Sequence, residues 1–123
     1  MILIFGGAYQ GKVDYVKENY NVAEDDIFRC KTNGVLDYNK KVICQLENYI
    51  RFCTENGIEA KESIDIKRLQ NSIVICEDTS QGLVPMDPED RAYREMAGRT
   101  LLFLGKEATQ VTRVFCGLGH RLK

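Results

Sequence analysis

Short apolar runs, separated by turns and charged segments, predict the strands of the domain. Residues 2–5 form such a run and end at two glycines, while residues 72–76 form a second run that is rich in β-branched side chains. Both have the composition of strands that are buried on both faces of a parallel sheet. Residues 112–116 predict a last short strand ahead of a basic tail, and residues 27–30 carry a weaker strand signal within a mixed segment.

Apolar residues at helical spacing predict helices between these strands. One helix covers residues 12–20. Another begins where Asp87 can cap a first turn that contains Pro88 and two acids, and it continues to about Ala108. Because strands and helices alternate, the 123 residues predict one α/β domain with three layers and a mainly parallel sheet, residues 1–123.

The middle of the chain is harder to interpret. A helix is predicted from a capping Asp37 to a terminal glycine at Gly57, with one apolar face formed by Val42, Ile43, Leu46, Tyr49, Ile50 and Cys53. In residues 58–71 the alternation of two isoleucines favours a strand, whereas Ser63 followed by charged residues fits the start of a helical turn. This segment remains open to either interpretation.

The composition narrows the classes of function. With 17 Lys and Arg against 18 Asp and Glu, the formal net charge is −1, so no general attraction to nucleic acid or to an acidic membrane is expected. The apolar runs are too short to cross a bilayer and the first residues lack a signal-peptide pattern, which predicts a cytoplasmic protein. The five cysteines are odd in number and widely spaced, so they are expected to be reduced thiols with packing roles.

The glycine-rich segment after the first predicted strand fits the phosphate-binding loop G-x-x-x-x-G-K. Its predicted nucleotide-binding residues are Gly6, Gly7, Ala8, Tyr9, Gln10, Gly11, Lys12 and Val13. Glycines let successive backbone N–H groups converge on phosphate oxygens, the following helix presents its positive end, and Lys12 adds a full charge. The alternative interpretation is a glycine-rich turn with a surface lysine.

The position after Lys12 departs from this motif. The usual Ser or Thr hydroxyl that ligates Mg²⁺ is replaced by Val13, which cannot coordinate a metal. Mg²⁺ can also be held by one or two carboxylates together with the phosphates, and Glu77 and Asp78 at the end of the second apolar run are the candidates. Acids at a strand end can equally mark the exit of the chain to solvent.

The loop and the region from Glu77 onward together resemble the bifunctional adenosylcobinamide kinase / adenosylcobinamide-phosphate guanylyltransferase family. The family's Asn-Glu-x-Gly-x-Gly-Ile-Val-Pro segment is similar to residues 77–85, with its glutamate at Asp78. The family's Arg-x-Phe-Arg-Asp-x-x-Gly-Arg helix matches, without a gap, Arg91, Tyr93, Arg94, Glu95, Gly98 and Arg99. The resemblance therefore covers both ends of the chain.

The resemblance implies a RecA-like P-loop NTPase domain that binds GTP or ATP with Mg²⁺. In that family the protein phosphorylates adenosylcobinamide, a corrinoid, and then transfers GMP to it, late in cobalamin synthesis. Lys12 would contact the β- and γ-phosphates, and Asp78 would hold Mg²⁺ or accept the proton of the substrate hydroxyl. The resemblance also implies a homotrimer.

Several positions depart from the family's pattern. Val13 stands where the family has serine, Ser80 replaces a glycine, and Leu101 and Leu102 replace an Asn-Gln pair. The segment that carries the family's GMP-accepting histidine is shortened, and the chain's one histidine, His120, lies in the final tail as a surface residue. A histidine-linked guanylyl intermediate is therefore not expected.

Three functions remain open from the sequence. The first is a nucleotide-dependent kinase of the cobinamide type with reduced or lost guanylyltransferase activity. The second is a non-catalytic regulatory or partner subunit that binds a nucleotide or phosphate. The third is a domain that keeps the fold and has lost the ligand, with Tyr9 or Gln10 filling the loop.

Overall fold

The computed structural model of the chain describes residues 1–79 and 87–123. Its sheet has six strands in the order β2-β3-β4-β1-β5-β6. The first five of these pair in parallel, and β6 pairs antiparallel with β5. In chain order the strands are β1 Ile2–Gly6, β2 Ile27–Arg29, β3 Val42–Cys44, β4 Ile73–Glu77, β5 Gln110–Phe115 and β6 Leu118–Arg121.

Helices lie on both faces of this sheet. They are α1 Lys12–Tyr20, α2 Leu46–Glu55, α3 Ala60–Ser63 and α4 Pro88–Glu107, with 3₁₀ turns at Glu24–Asp26 and Ile66–Leu69. Along β1, Leu3 packs in the cluster under α2 and α4, whereas its neighbour Ile4 packs in the cluster under α1. Neighbouring residues of a strand point to opposite faces, so these clusters are two separate cores. The α/β class and the mostly parallel sheet are confirmed, and the arrangement is compatible with three layers.

Helices α1 and α4 begin at the residues that the sequence predicts. The first helix spans the predicted residues, and α4 begins where Asp87 caps it, its Oδ1 accepting a hydrogen bond of 2.9 Å from the Glu89 N–H. Pro88 occupies the first turn, where its missing N–H is no loss. Part of the segment that resembles the cobinamide family, including Ser80, lies outside the described residues.

The helix predicted from Asp37 to Gly57 is wrong over residues 37–45, nearly its first half. Val42, Ile43 and Cys44 form strand β3 between β2 and β4, all three buried, and the helix begins only at Leu46. A short apolar run fits both a buried strand and one face of a helix, so its spacing could not separate the two. Asp37 instead closes a turn, in which its Oδ1 accepts from the Asn39 N–H at 3.0 Å.

The end of the chain also differs from the prediction. The last parallel strand ends at Phe115, and the chain then returns as β6, whereas the sequence predicts only a basic tail, residues 121–123, after Gly117. Cys116 and Gly117 both have positive φ, 52° and 74°, which is the geometry of a two-residue hairpin turn that matches the twist of the strands. Residues 58–71, which fit a strand or a helical turn in the sequence, contain α3 and the second 3₁₀ turn.

The five thiols are free, and four of them are buried. Cys116 is the exposed one, because it sits at the hairpin turn. Burial raises the pKa of Cys44 from 9.0 to about 11 and that of Cys30 to about 12. None of the helices in the described ranges is long and apolar enough to span a membrane.

The free energy of unfolding is expected to fall as the pH rises above 9. The unfolded chain ionises its thiols near 9.0, whereas folded Cys44 and Cys30 stay protonated up to about 11 and 12, so alkali favours unfolding across this window. Each thiol contributes roughly 1 kcal/mol per pH unit. Urea denaturation in reductant at pH 8 and pH 10 measures the fall, which should be smaller for Cys44→Ala. An equal fall in both proteins would contradict a contribution from the Cys44 thiol.

Candidate functional site

The glycine-rich segment forms a tight loop, residues 7–11, between the central strand β1 and helix α1. Gly6 has no room for a side chain, since a Cβ there would lie 2.4 Å from the carbonyl oxygen of Val114. Gly11 has a left-handed conformation, φ 83° and ψ 30°, that allows the chain to turn into the helix. Tyr9 also has positive φ, 59°, and its side chain is fully exposed.

The side chain of Lys12 folds back over this loop. Its Nζ donates a hydrogen bond of 2.7 Å to the carbonyl oxygen of Gly7. The ammonium group therefore lies at the loop and not in free solvent. This places a full positive charge beside the positive end of α1.

The backbone N–H groups of the loop add further donors. Within the described part of the chain, those of residues 8–13 donate to no acceptor, and the helix's first bond is from the Tyr15 N–H to the Gly11 carbonyl oxygen at 2.9 Å. Free N–H groups at a glycine loop and helix start can converge on an anion. The loop therefore presents several N–H donors, unpaired within the described ranges, next to the Lys12 ammonium.

Gln10 joins the loop to the hairpin turn at the other end of the chain. Its Oε1 accepts a hydrogen bond of 2.6 Å from the Cys116 N–H, and its carbonyl oxygen accepts one of 2.8 Å from the Gly117 N–H. The sequence predicted Gln10 as a residue of the loop alone. The contact joins positions 106 residues apart, and no local pattern could reveal it.

A cleft of about 360 Å³ lies against the loop. Besides residues 8–14, its described lining comprises Cys44, Gln45, Glu47, Ile75 and Glu77. Glu47 and Glu77 touch each other, since the Glu47 Oε1 accepts a hydrogen bond of 3.0 Å from the Glu77 N–H. The cleft thus combines a lysine, open N–H groups and two carboxylates.

Glu47 was not predicted as a site residue. It stands at the start of α2, three residues after the end of β3, and β3 had been assigned to a helix. Once β3 is assigned as a strand, Glu47 and Glu77 share one sequence signal. Each is an acid near the carboxyl end of a short, buried parallel strand.

The two acids at the end of β4 lie on different sides of the sheet. Glu77 lines the cleft at the loop together with Ile75, whereas Asp78 lines a second cleft on the α4 side. The alternation of side chains along a strand produces this division. The Asp78 N–H donates to the Gly6 carbonyl oxygen at 2.8 Å, so its backbone adjoins the loop. The catalytic and metal-binding role of Asp78 stays a prediction.

Val13 has a packing role in α1. It is half-buried and packs against the core cluster beneath this helix. Its methyl groups therefore serve the core at the position where the motif usually carries a metal-binding hydroxyl.

Some of the α4 residues that match the family's helix pack against other side chains, and the rest line the second cleft. Tyr93 is buried with the Arg51 guanidinium 3.8 Å from its ring centroid, and Arg99 forms two hydrogen bonds with Glu59, of 3.0 and 3.1 Å. The others, Arg91, Arg94, Glu95 and Gly98, line the second cleft. His120 is exposed on β6, as predicted for a surface residue.

The chain was compared with profiles of known protein families and with curated proteins, and neither comparison found a match.

Gly6→Ala is expected to destabilise the domain, because the added methyl group would meet the backbone oxygen of Val114 at 2.4 Å. Overpacking of this kind costs about 1–3 kcal/mol, which lowers the melting temperature by several degrees. Gly7→Ala is the matched control, since its Cβ would meet only the Gln10 side chain at 3.8 Å. Thermal denaturation of both variants tests the difference, and equal melting temperatures would refute the tight approach.

Proposed function

We propose that the chain is a P-loop protein of the RecA-like type that binds a nucleoside triphosphate, GTP or ATP, at the loop of residues 6–13. The observation that carries this proposal is the cleft in which Lys12, the open N–H groups and two carboxylates meet. The lysine and the N–H groups suit the phosphates of the nucleotide. The carboxylates suit a cation bound to those phosphates.

The place of the loop in the sheet supports the same proposal. Helix α1 leaves β1 along one face of the sheet, whereas α4 leads from β4 to β5 across the other face. The connections therefore diverge at the carboxyl end of β1. Open parallel α/β sheets bind their ligands in the crevice at such a point.

The donor set at the loop fits the Mg²⁺ that the resemblance implies. Glu47 and Glu77 would hold the ion together with phosphate oxygens and water, a common arrangement for Mg²⁺ in nucleotide sites. When bound, Mg²⁺ neutralises charge on the phosphates. Asp78, the residue favoured by the sequence, lies next in the chain on the other side of the sheet.

Binding without turnover is the form of this function that Val13 favours. A hydroxyl ligand is replaced by methyl groups that pack in the core, so a bound Mg²⁺ would have one protein ligand fewer to hold it. A regulatory or partner subunit would need only the bound nucleotide. The proposal includes a reduced or lost guanylyltransferase activity, because the chain's one histidine, His120, matches no histidine of the family that the chain resembles.

A kinase of the cobinamide type is the second candidate. It is favoured by the two carboxylates at the loop, which can position a cation on the transferred phosphate. In this form a corrinoid would accept the phosphate. The protein would be cytoplasmic, and it would form the homotrimer that the resemblance implies. Release of nucleoside diphosphate in the presence of adenosylcobinamide separates it from the first candidate.

GTP or ATP is expected to raise the melting temperature of the wild type and not that of Lys12→Ala. Ligand at a hundred times its dissociation constant adds about 2.7 kcal/mol, which for this size of domain raises the melting point by on the order of ten degrees. Lys17→Ala, on the same helix but paired with Glu24 at 2.6 Å, is the control and should keep the shift. If no nucleotide shifts the wild type, the proposed function is wrong.

Glu47→Gln is expected to remove the extra stabilisation that Mg²⁺ gives to the nucleotide complex. Glutamine keeps an acceptor for the Glu77 N–H and loses the charge that holds the cation. Glu55→Gln, at the exposed far end of α2, serves as the comparison. Nucleotide titrations with and without Mg²⁺ measure the effect, and an unchanged Mg²⁺ dependence in Glu47→Gln would exclude this residue from the cation site.

A further inference from the structure

A second cleft, of about 870 Å³, lies on the opposite face of the sheet from α1. Leu3 and Phe5 of β1 and Val111 of β5 form its floor, and α4 forms its wall. Its volume is within the range of sites for small organic molecules. It shares none of its described lining residues with the cleft at the loop.

The wall that α4 presents to this cleft is apolar. Gly98, Leu101, Leu102 and Gly105 recur at the spacing of one helix face. A Cβ at either glycine would meet no described atom within 4 Å, and Leu102 is 63% exposed. The helix therefore carries apolar surface that nothing in the described structure covers, beside a floor that is also apolar.

Cationic residues outnumber acids in the described lining of the cleft. Its described lining contains four cationic residues, Arg91, Arg94, Lys106 and Lys123, and two acids, Asp78 and Glu95. The Lys123 ammonium is occupied at the end of α4, where it donates to the Gly105 and Lys106 carbonyl oxygens at 3.2 and 3.0 Å. The two arginines stand at the other end of the wall, where Glu95 of α4 and Asp78 at the end of β4 also line the cleft. Arg91 forms no ion pair with any residue in the described ranges.

We propose that this cleft binds a small amphipathic organic anion. The apolar body of the ligand would lie between the β1 and β5 side chains and the Gly98–Gly105 face of α4, with its acidic group at the arginine end. A guanidinium binds carboxylate, sulfonate or phosphate oxygens through paired N–H donors, which gives that end its specificity. The site goes beyond nucleotide binding and does not depend on it.

The test uses two fluorescent probes that differ in charge. 1-Anilinonaphthalene-8-sulfonate carries an apolar body and one sulfonate, while N-phenyl-1-naphthylamine has the same body without the charge. The wild type is expected to bind the sulfonate probe at one saturable site, about tenfold more tightly than the neutral probe. Equal affinity for the two probes would overturn the preference for an anion, and no saturable binding of either would overturn the site.

Two variants locate the binding. Gly98 has open space around it on an exposed helix face, so Gly98→Leu should fold normally. Its leucine side chain would fill the cleft, so this variant should no longer bind either probe. Arg91→Gln should lower the affinity for the sulfonate probe about tenfold and leave the affinity for the neutral probe unchanged. Circular dichroism and melting temperature confirm that both variants are folded. Retained binding of both probes by a folded Gly98→Leu would place the probes elsewhere and refute the proposal.

Two further measurements distinguish this cleft from the nucleotide loop and from a contact between subunits. Lys12→Ala should bind the sulfonate probe as the wild type does, so a failure of nucleotide binding leaves this proposal intact. Sedimentation of the wild type and of Leu102→Glu tests whether a second copy of the chain covers the cleft. If the wild type self-associates and Leu102→Glu is a monomer, the cleft is a subunit interface and the proposal fails.

Discussion

The close approach of Gly6 to Val114 is the constraint on which the carboxyl edge of the sheet depends. A Cβ at Gly6 would lie 2.4 Å from the Val114 carbonyl oxygen, and on the other side the Gly6 carbonyl oxygen accepts the Asp78 N–H at 2.8 Å. The last residue of β1 is thus held between β5 and the end of β4. This contact sets where the loop begins, and so where Lys12 and the first turn of α1 lie.

The pleat of the central strands then divides the chemistry between two faces. Ile75 and Glu77 face α1 and the loop, while Cys76 packs in the other cluster and Asp78 lines the α4 side. A shift of one residue in the register of β4 would exchange the two acids. The register of β4 against β1 therefore decides which acid faces the loop. In this register Ile2 pairs with Ile73 and Gly6 pairs with Glu77.

Local signals in the sequence were sufficient for part of this arrangement. The glycine-rich loop, the start of α1 and the cap at Asp87 all depend on residues within a few positions of one another, and the structure has them where they were predicted. Strand β3 was missed because Val42 and Ile43 fit a helical face as well as a strand, and Glu47 was missed with it. What separates the alternatives is burial between β2 and β4, which arises only in the folded sheet.

The hydrogen bonds from the hairpin turn to Gln10 have a consequence for how the loop forms. They join residues 106 and 107 positions apart, so they belong to the contacts of highest sequence separation, which form at the greatest cost in chain entropy. During synthesis, residues 7–11 precede the hairpin turn, so they gain these bonds only after β5 and the turn have been synthesised. The loop is therefore among the last parts of the domain to reach its final shape, although it is synthesised before most of the sheet.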